Sequence, residues 1–107
     1  MEIRQDKHGD TLIISLIGDL NNDTYHELEA IIPEIKDVSL VYLDFAKVNY
    51  VSSAGLRTIL SLKKKMDTMG TFYLRNCNDQ ILELFEMTGL TSGTDFEISY
   101  NNLINFI

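Results

Sequence analysis

Three short apolar runs separated by amphipathic stretches restrict what this chain can fold into. "TLIISLIG" (11–18), "SLVYLDF" (39–45) and "TFYLRN" (71–76) have the length and the β-branched or aromatic content of strands. Between the first two, Leu28, Ile31, Ile32 and Ile35 fall at i, i+3, i+4 and i+7, the spacing of one buried helix face. Between the second two, Leu56, Ile59, Leu60, Met66 and Met69 make a similar stripe on a longer helix. Strands joined through helices need crossover connections, hence a largely parallel sheet, and those crossovers should be right-handed. The first run is apolar at nearly every position, so a central strand covered on both faces is expected, with a second buried strand beside it.

The remaining stretches extend the pattern. Glu2 to Lys7 reads as a short strand, "HGD" as a turn in which Gly9 takes positive φ, and the two opening strands as a hairpin. Asn22 or Asp23 is expected to cap the first helix, and Thr24 with Glu27 has capping-box spacing. Pro33 removes a helix hydrogen bond and clashes with the carbonyl of Glu29, so a kink or an early end is predicted there. Lys63, Lys64 and Lys65 sit where cations suit the helix dipole and read as a solvated face, with Gly70 as the stop. "NDQILELFEMTGL" predicts a helix capped by Asn78 and stopped at Gly89, with Leu90 packing back on Phe85. "FEIS" predicts a strand, and "NNLINFI" a short last helix capped by Asn101 with Leu103, Ile104 and Ile107 inward. The order is β-β-α-β-α-β-α-β-α. It describes an α/β domain with a mixed, mostly parallel sheet, and 107 residues suffice for one such domain, 1–107, rather than two.

Charge and composition exclude several functions. A net charge of −7 argues against nucleic acid, which is bound by neutralising phosphates, and against an anionic membrane surface; a basic partner, or none, fits better. Cys77 is the single cysteine, so neither an internal disulfide nor a Cys/His metal site is expected, and the thiol reads as a small buried filler. The start, "MEIRQDKHGD", is polar, so no signal peptide is expected, and the run from Leu12 to Ile17 is too short to span a bilayer. A cytoplasmic location is expected. Asp19, Asp23 and Asp44 lie near strand ends and helix starts, where turns and caps explain carboxylates without a metal.

The stretch "NYVSSAGLRTIL" (49–60) holds the chemistry. A nucleophile elbow requires Gly-x-Ser-x-Gly; Ser53 has Gly55 after it but Val51 before it, and a base would have to be His8 or His26, both read as surface residues. A phosphate-binding loop requires a glycine-rich run ending in Gly-Lys-Ser/Thr, and "VSSAGLR" has one glycine and no lysine. Ser52 or Ser53 ahead of an apolar-periodic run is a helix cap. A helix start also tolerates a phosphate well. Gly55 in the first turn is a poor helix former, and it lets another backbone or a partner approach closely.

"VYLDFAKVNYVSSAGLRTIL", "LRNCNDQILELFEMTGL" and "LIGDLNN", together with the element order, resemble the STAS domain, in particular the free-standing bacterial anti-sigma factor antagonists. The resemblance covers essentially the whole chain. It implies a binding switch rather than an enzyme, with no cofactor. Members bind an anti-sigma factor, often a serine kinase using ATP, and free the sigma factor it holds. The kinase phosphorylates the serine before the small residue and Gly-Leu, here Ser53, and a serine phosphatase reverses the mark. Many relatives have Asp where this chain has Ser52 and a second serine where it has Ala54, so Ser52 is a competing acceptor. The contact surface so implied comprises Lys47, Asn49, Ser52, Ser53, Ala54, Gly55, Arg57 and Thr58, with Asp19, Asn22 and Asp23 on a neighbouring turn. A monomer or weak dimer is expected. Rival readings are a STAS scaffold or partner subunit of a stress-sensing or membrane transport assembly, and a small serine hydrolase.

Overall fold

The computed structural model describes residues 1–87 and 96–99. Five strands, β1 (Glu2–His8), β2 (Thr11–Ile17), β3 (Leu40–Lys47), β4 (Thr71–Arg75) and β5 (Phe96–Ser99), form one sheet in the order β1-β2-β3-β4-β5. Helices α1 (Tyr25–Ile31), α2 (Ser53–Met66) and α3 (Asp79–Met87) lie in the connections. β1 and β2 are antiparallel, with His8 opposite Thr11 across the Gly9-Asp10 turn and Gly9 at φ +65°. The other three pairings are parallel. The stop at Gly89, the Leu90 contact and the last helix from Asn101 lie outside the described residues.

One expectation is corrected. Among the described residues, β2 and β3 are covered on one face, not two. Leu12, Ile14 and Leu16 of β2, Val41, Leu43 and Phe45 of β3 and Phe72 and Leu74 of β4 are buried, together with Leu28, Ile59, Leu62, Met66, Ile81 and Phe85 from the helices. Each such side chain contributes about 1.5–3 kcal/mol by leaving water. The alternate residues Ile13, Ile17, Leu40, Tyr42 and Tyr73 remain partly exposed. Strand order explains this: strands are added in one direction only, and crossovers of one hand then all fall on one face. The open face protects itself laterally. Tyr42 stacks on Tyr73 (5.2 Å), the Arg75 guanidinium lies 5.1 Å from the Tyr42 ring, and Arg75 Nε pairs with Asp44 at 3.3 Å.

Helix boundaries follow local chemistry. Pro33 ends α1 at Ile31 and passes the chain into a single 3-10 turn, Ile32–Glu34. Neither Asn22 nor Asp23 caps α1: the N-cap is Thr24, without a side-chain cap bond, and Asn21 holds the turn before it, its Oδ1 accepting from the N–H groups of Asp23 (2.9 Å) and Thr24 (3.1 Å). The Thr24 hydroxyl is engaged elsewhere, donating to the Asp19 carbonyl at 2.7 Å, so no capping box closes. α2 ends at Met66, with Asp67 as its C-cap, before Gly70 is reached. Gly70 is required for space, because a Cβ there would collide with the Ser39 carbonyl. The lysine run is only partly solvated: Lys63 pairs with Asp67, and Lys65 Nζ donates to the Ile32 carbonyl at 2.7 Å.

Candidate partner-binding site

The parallel strands β2, β3 and β4 end on the same side of the sheet, and the loops leaving β2 and β3 are joined to each other. Gly18 N donates to the Lys47 carbonyl (3.0 Å), Leu20 N to the Tyr50 carbonyl (3.0 Å) and Ser52 N to the Leu20 carbonyl (2.8 Å). Leu20 and Val51 form a parallel bridge beyond the strands, and Asn49 N donates to Asp19 Oδ1 at 3.2 Å. Asn78 fastens the third loop. Its Oδ1 accepts from Ile81 N at 2.8 Å, capping α3, and its Nδ2 reaches the carbonyls of Val48 and Asn49 at 3.5 Å. The segment that carries the two serines is therefore held on one side by the backbone of the β2 loop and on the other by the Asn78 side chain.

The two serines have different surroundings. Ser52 is the N-cap of α2: its backbone is extended (φ −85°, ψ 174°), its side chain is buried, and its Oγ accepts from Gly55 N at 3.2 Å. Ser53 is the first helical residue and is exposed. Its Oγ has no hydrogen-bond partner among the described residues, and the N–H groups of Ser53 and Ala54 are likewise left free there. Gly55 is buried under the bridge; a Cβ on it would sit 2.7 Å from the Leu20 carbonyl oxygen and 2.8 Å from Leu20 Cγ. The loop bridge and α2 can approach this closely only because residue 55 lacks a side chain.

The other residues of the expected surface divide into supports and exposed groups. Ser52, Gly55 and Thr58 are buried, and Thr58 Oγ1 donates to the Ala54 carbonyl at 3.0 Å. Asp19 holds the loops together. Asn22, Asp23, Lys47, Asn49, Ser53 and Arg57 are exposed, and Ala54 is half-buried. Lys47 sits apart from the serines, in a groove of about 300 Å³ over the open sheet face with Arg4, Asp6, Ser15 and Asp44. Ala54, Arg57 and Thr58 line a groove of about 330 Å³ between α1 and α2, with Tyr25, Glu29 and Ser61. No histidine hydrogen-bonds either serine among the described residues; His26 lies on α1, 3.9 Å from Glu29.

One surface feature escapes the sequence reading. Tyr50, 56% exposed, is the large apolar side chain most open to solvent among the described residues. It stands two residues before the cap, on a groove of about 370 Å³ with Asn49, Val51, Gln80, Ile81 and Leu84. An aromatic residue in a short loop between a strand and a cap is the available sequence signal. Cys77 is half-buried near this end, and burial, aided by the Asp44 charge, pushes its thiol up to about 12.

A sheet of this order, with the three described helices on one face and a capped Ser-Ser-Ala-Gly-Leu helix start at its loop end, defines a STAS-type domain. The chain belongs to that family: the STAS domain model matches residues 2–101. It is 33% identical over 95 residues to BtrV of Bordetella bronchiseptica, named as an anti-sigma factor antagonist, covering 86% of this chain and 82% of that protein. It is 35% identical over 57 residues to mouse (Mus musculus) prestin, covering 52% of this chain but 8% of prestin. In three dimensions it resembles the Bacillus cell fate determinant SpoIIAA in its phosphorylated form, with a TM-score of 0.72, 18% identity and 94% of each chain covered. No described helix is long and apolar enough to cross a membrane.

Proposed function

We propose that this chain is an anti-sigma factor antagonist that binds a cytoplasmic anti-sigma factor when unmodified, is phosphorylated on Ser53 by that partner acting as a serine kinase, and is reset by a serine phosphatase. The observation that carries this reading is the division of labour between the serines. Ser52 spends its hydroxyl on the cap and is buried; Ser53 is exposed, with an unengaged hydroxyl at the first position of a helix. The likeness to BtrV over most of both chains supports it. A phosphate adds about −1.5 to −2 charges near neutral pH. At the start of α2 that charge stabilises the helix by a few tenths to about 1 kcal/mol, so the fold survives modification and the effect falls on the bound partner.

The test is incubation with the cognate anti-sigma factor and ATP, followed by peptide mapping. Phosphate is expected on Ser53, absent from Ser53→Ala and retained in Ser52→Thr, which keeps a capping hydroxyl. Full modification of Ser53→Ala would overturn the assignment. A second reading, a STAS partner of a membrane transport assembly, is favoured by the short prestin match. Co-purification with a transporter and not with an anti-sigma factor would establish it.

A further inference from the structure

We infer that Arg57 is an internal reader of the phosphorylation state: it holds the phosphate of modified Ser53, and in doing so it removes its own positive charge from the groove between α1 and α2. The inference rests on the phosphorylation reading above and adds the residue through which the mark acts. Ser53 and Arg57 are both exposed and stand four residues apart on α2. Helical side chains lean toward the N-terminus, so a residue at i+4 reaches back over the turn that holds residue i. An anion at i with a cation at i+4 is the favourable order along a helix.

Arg57 is available for this. Among the described residues it forms no ion pair, whereas Arg4 is paired with Glu2, Lys63 with Asp67 and Arg75 with Asp44. In the unmodified protein it lines the α1–α2 groove, where Glu29 is the carboxylate facing it from α1 and Tyr25 the phenol; the β2–α1 loop adds Asp19 near the loop end. Glu29 is beyond ion-pairing distance of Arg57 and leans toward His26 instead, at 3.9 Å. A phosphate offers two charges and three acceptor oxygens against one exposed carboxylate, and a guanidinium binds it with two parallel N–H groups. The free N–H groups of Ser53 and Ala54 complete the acceptor's surroundings. Modification thus changes two adjacent features: it adds an anion at the helix start and withdraws the cation that α2 contributes to the groove.

The test uses full-length protein with phosphoserine placed at position 53 by genetic encoding, so that no kinase is needed. The second ionisation of the phosphate is followed by phosphorus NMR at fixed salt. In the parent the phosphate should ionise at lower pH than in Arg57→Gln, by at least about 0.3 units for an exposed pair. Arg57→Lys should restore part of the difference, and Lys64→Gln, an exposed cation elsewhere on α2, should leave it unchanged. Equal values in the parent and Arg57→Gln, or an equal change from Lys64→Gln, would overturn the inference. Failure of a kinase to modify Ser53 would sink the proposed function without altering this titration.

Discussion

A single methyl group at residue 55 has nowhere to go. Its nearest neighbours are backbone and the branch point of Leu20, neither of which is the far end of a flexible side chain. Gly55→Ala gains helix propensity of about 1 kcal/mol but overpacks a fixed contact, a change that typically costs 1–3 kcal/mol, so net destabilisation is expected and Gly55→Val should be worse. Denaturant unfolding checks it; unchanged midpoints would mean that the Leu20–Val51 bridge does not hold the helix start. Cys77 supplies a second test. Its thiol is raised from its usual value near 9.0 to about 12 by burial and by Asp44, so native protein should react slowly with a thiol reagent at pH 8 and quickly once unfolded. Because the folded state holds this proton more tightly, the contribution to stability is complete below pH 9 and is lost as pH rises toward 12. Cys77→Ala should flatten that part of the stability profile; an identical slope in both proteins would show that the thiol is not protected.

At the scale of elements, strands and helices were legible because each core-facing set repeats with its own period: Leu12, Ile14, Leu16 by two and Ile59, Leu62, Met66 by the helical turn, whereas Ile35 of the first stripe falls beyond the helix that Pro33 ends. The uncovered face was not, because Ile13, Ile17 and Tyr42 are as apolar as residues sealed between two layers. What decides their exposure is the strand order and the side on which crossovers pass, and neither is a local property of the strand. Thr24 stands at the N-cap of α1 as its spacing to Glu27 suggests, but the role of Asn21 in the turn before it was missed for a related reason. Asn21, Asn22 and Asp23 have similar capping propensity, and only the path set by the Gly18–Lys47 and Leu20–Tyr50 bonds puts Asn21 Oδ1 under two N–H groups. The serine pair was legible as a cap, but which serine is buried depends on the Ser52–Leu20 backbone bond. These contacts yield a prediction for the element. Asn21→Ala should cost about 1 kcal/mol or more, and Asn22→Ala, exposed and without a bond among the described residues, less than about 0.5 kcal/mol. Equal losses in thermal unfolding would mean that Asn21 does not hold the turn ahead of α1.

On the scale of the whole molecule, the loop end offers a recognition surface with an apolar edge and a polar one. Tyr50 and its groove with Ile81 and Leu84 lie on the α3 side, and the Arg57 groove lies on the α1 side, with Ser53 exposed at the start of the intervening helix. Exposed aromatic residues beside a pocket are the usual anchors of protein interfaces, and their truncation commonly costs 2 kcal/mol or more, about thirtyfold in affinity. Tyr50→Ala should therefore weaken binding to the anti-sigma factor by at least about tenfold while leaving the unfolding midpoint nearly unchanged, since the side chain is 56% exposed. Ser53→Asp should also weaken binding, by adding negative charge at the contact and drawing Arg57 toward it, but a carboxylate has less charge and fewer acceptor oxygens than phosphate and should reproduce only part of the effect. The two losses differ in origin and can be separated by salt. Charge repulsion is screened, with a Debye length falling from about 10 Å at 0.1 M to about 3 Å at 1 M, whereas the Tyr50 contact is apolar. The Ser53→Asp defect should shrink as salt rises, and the Tyr50→Ala defect should persist. A net charge of −7 predicts that parental affinity itself falls with salt if the partner surface is basic. Titrations of the three proteins at two ionic strengths decide the matter. Full binding by Tyr50→Ala would move the interface off the α3 side, and a salt-insensitive Ser53→Asp defect would show that the switch works by shape rather than by charge.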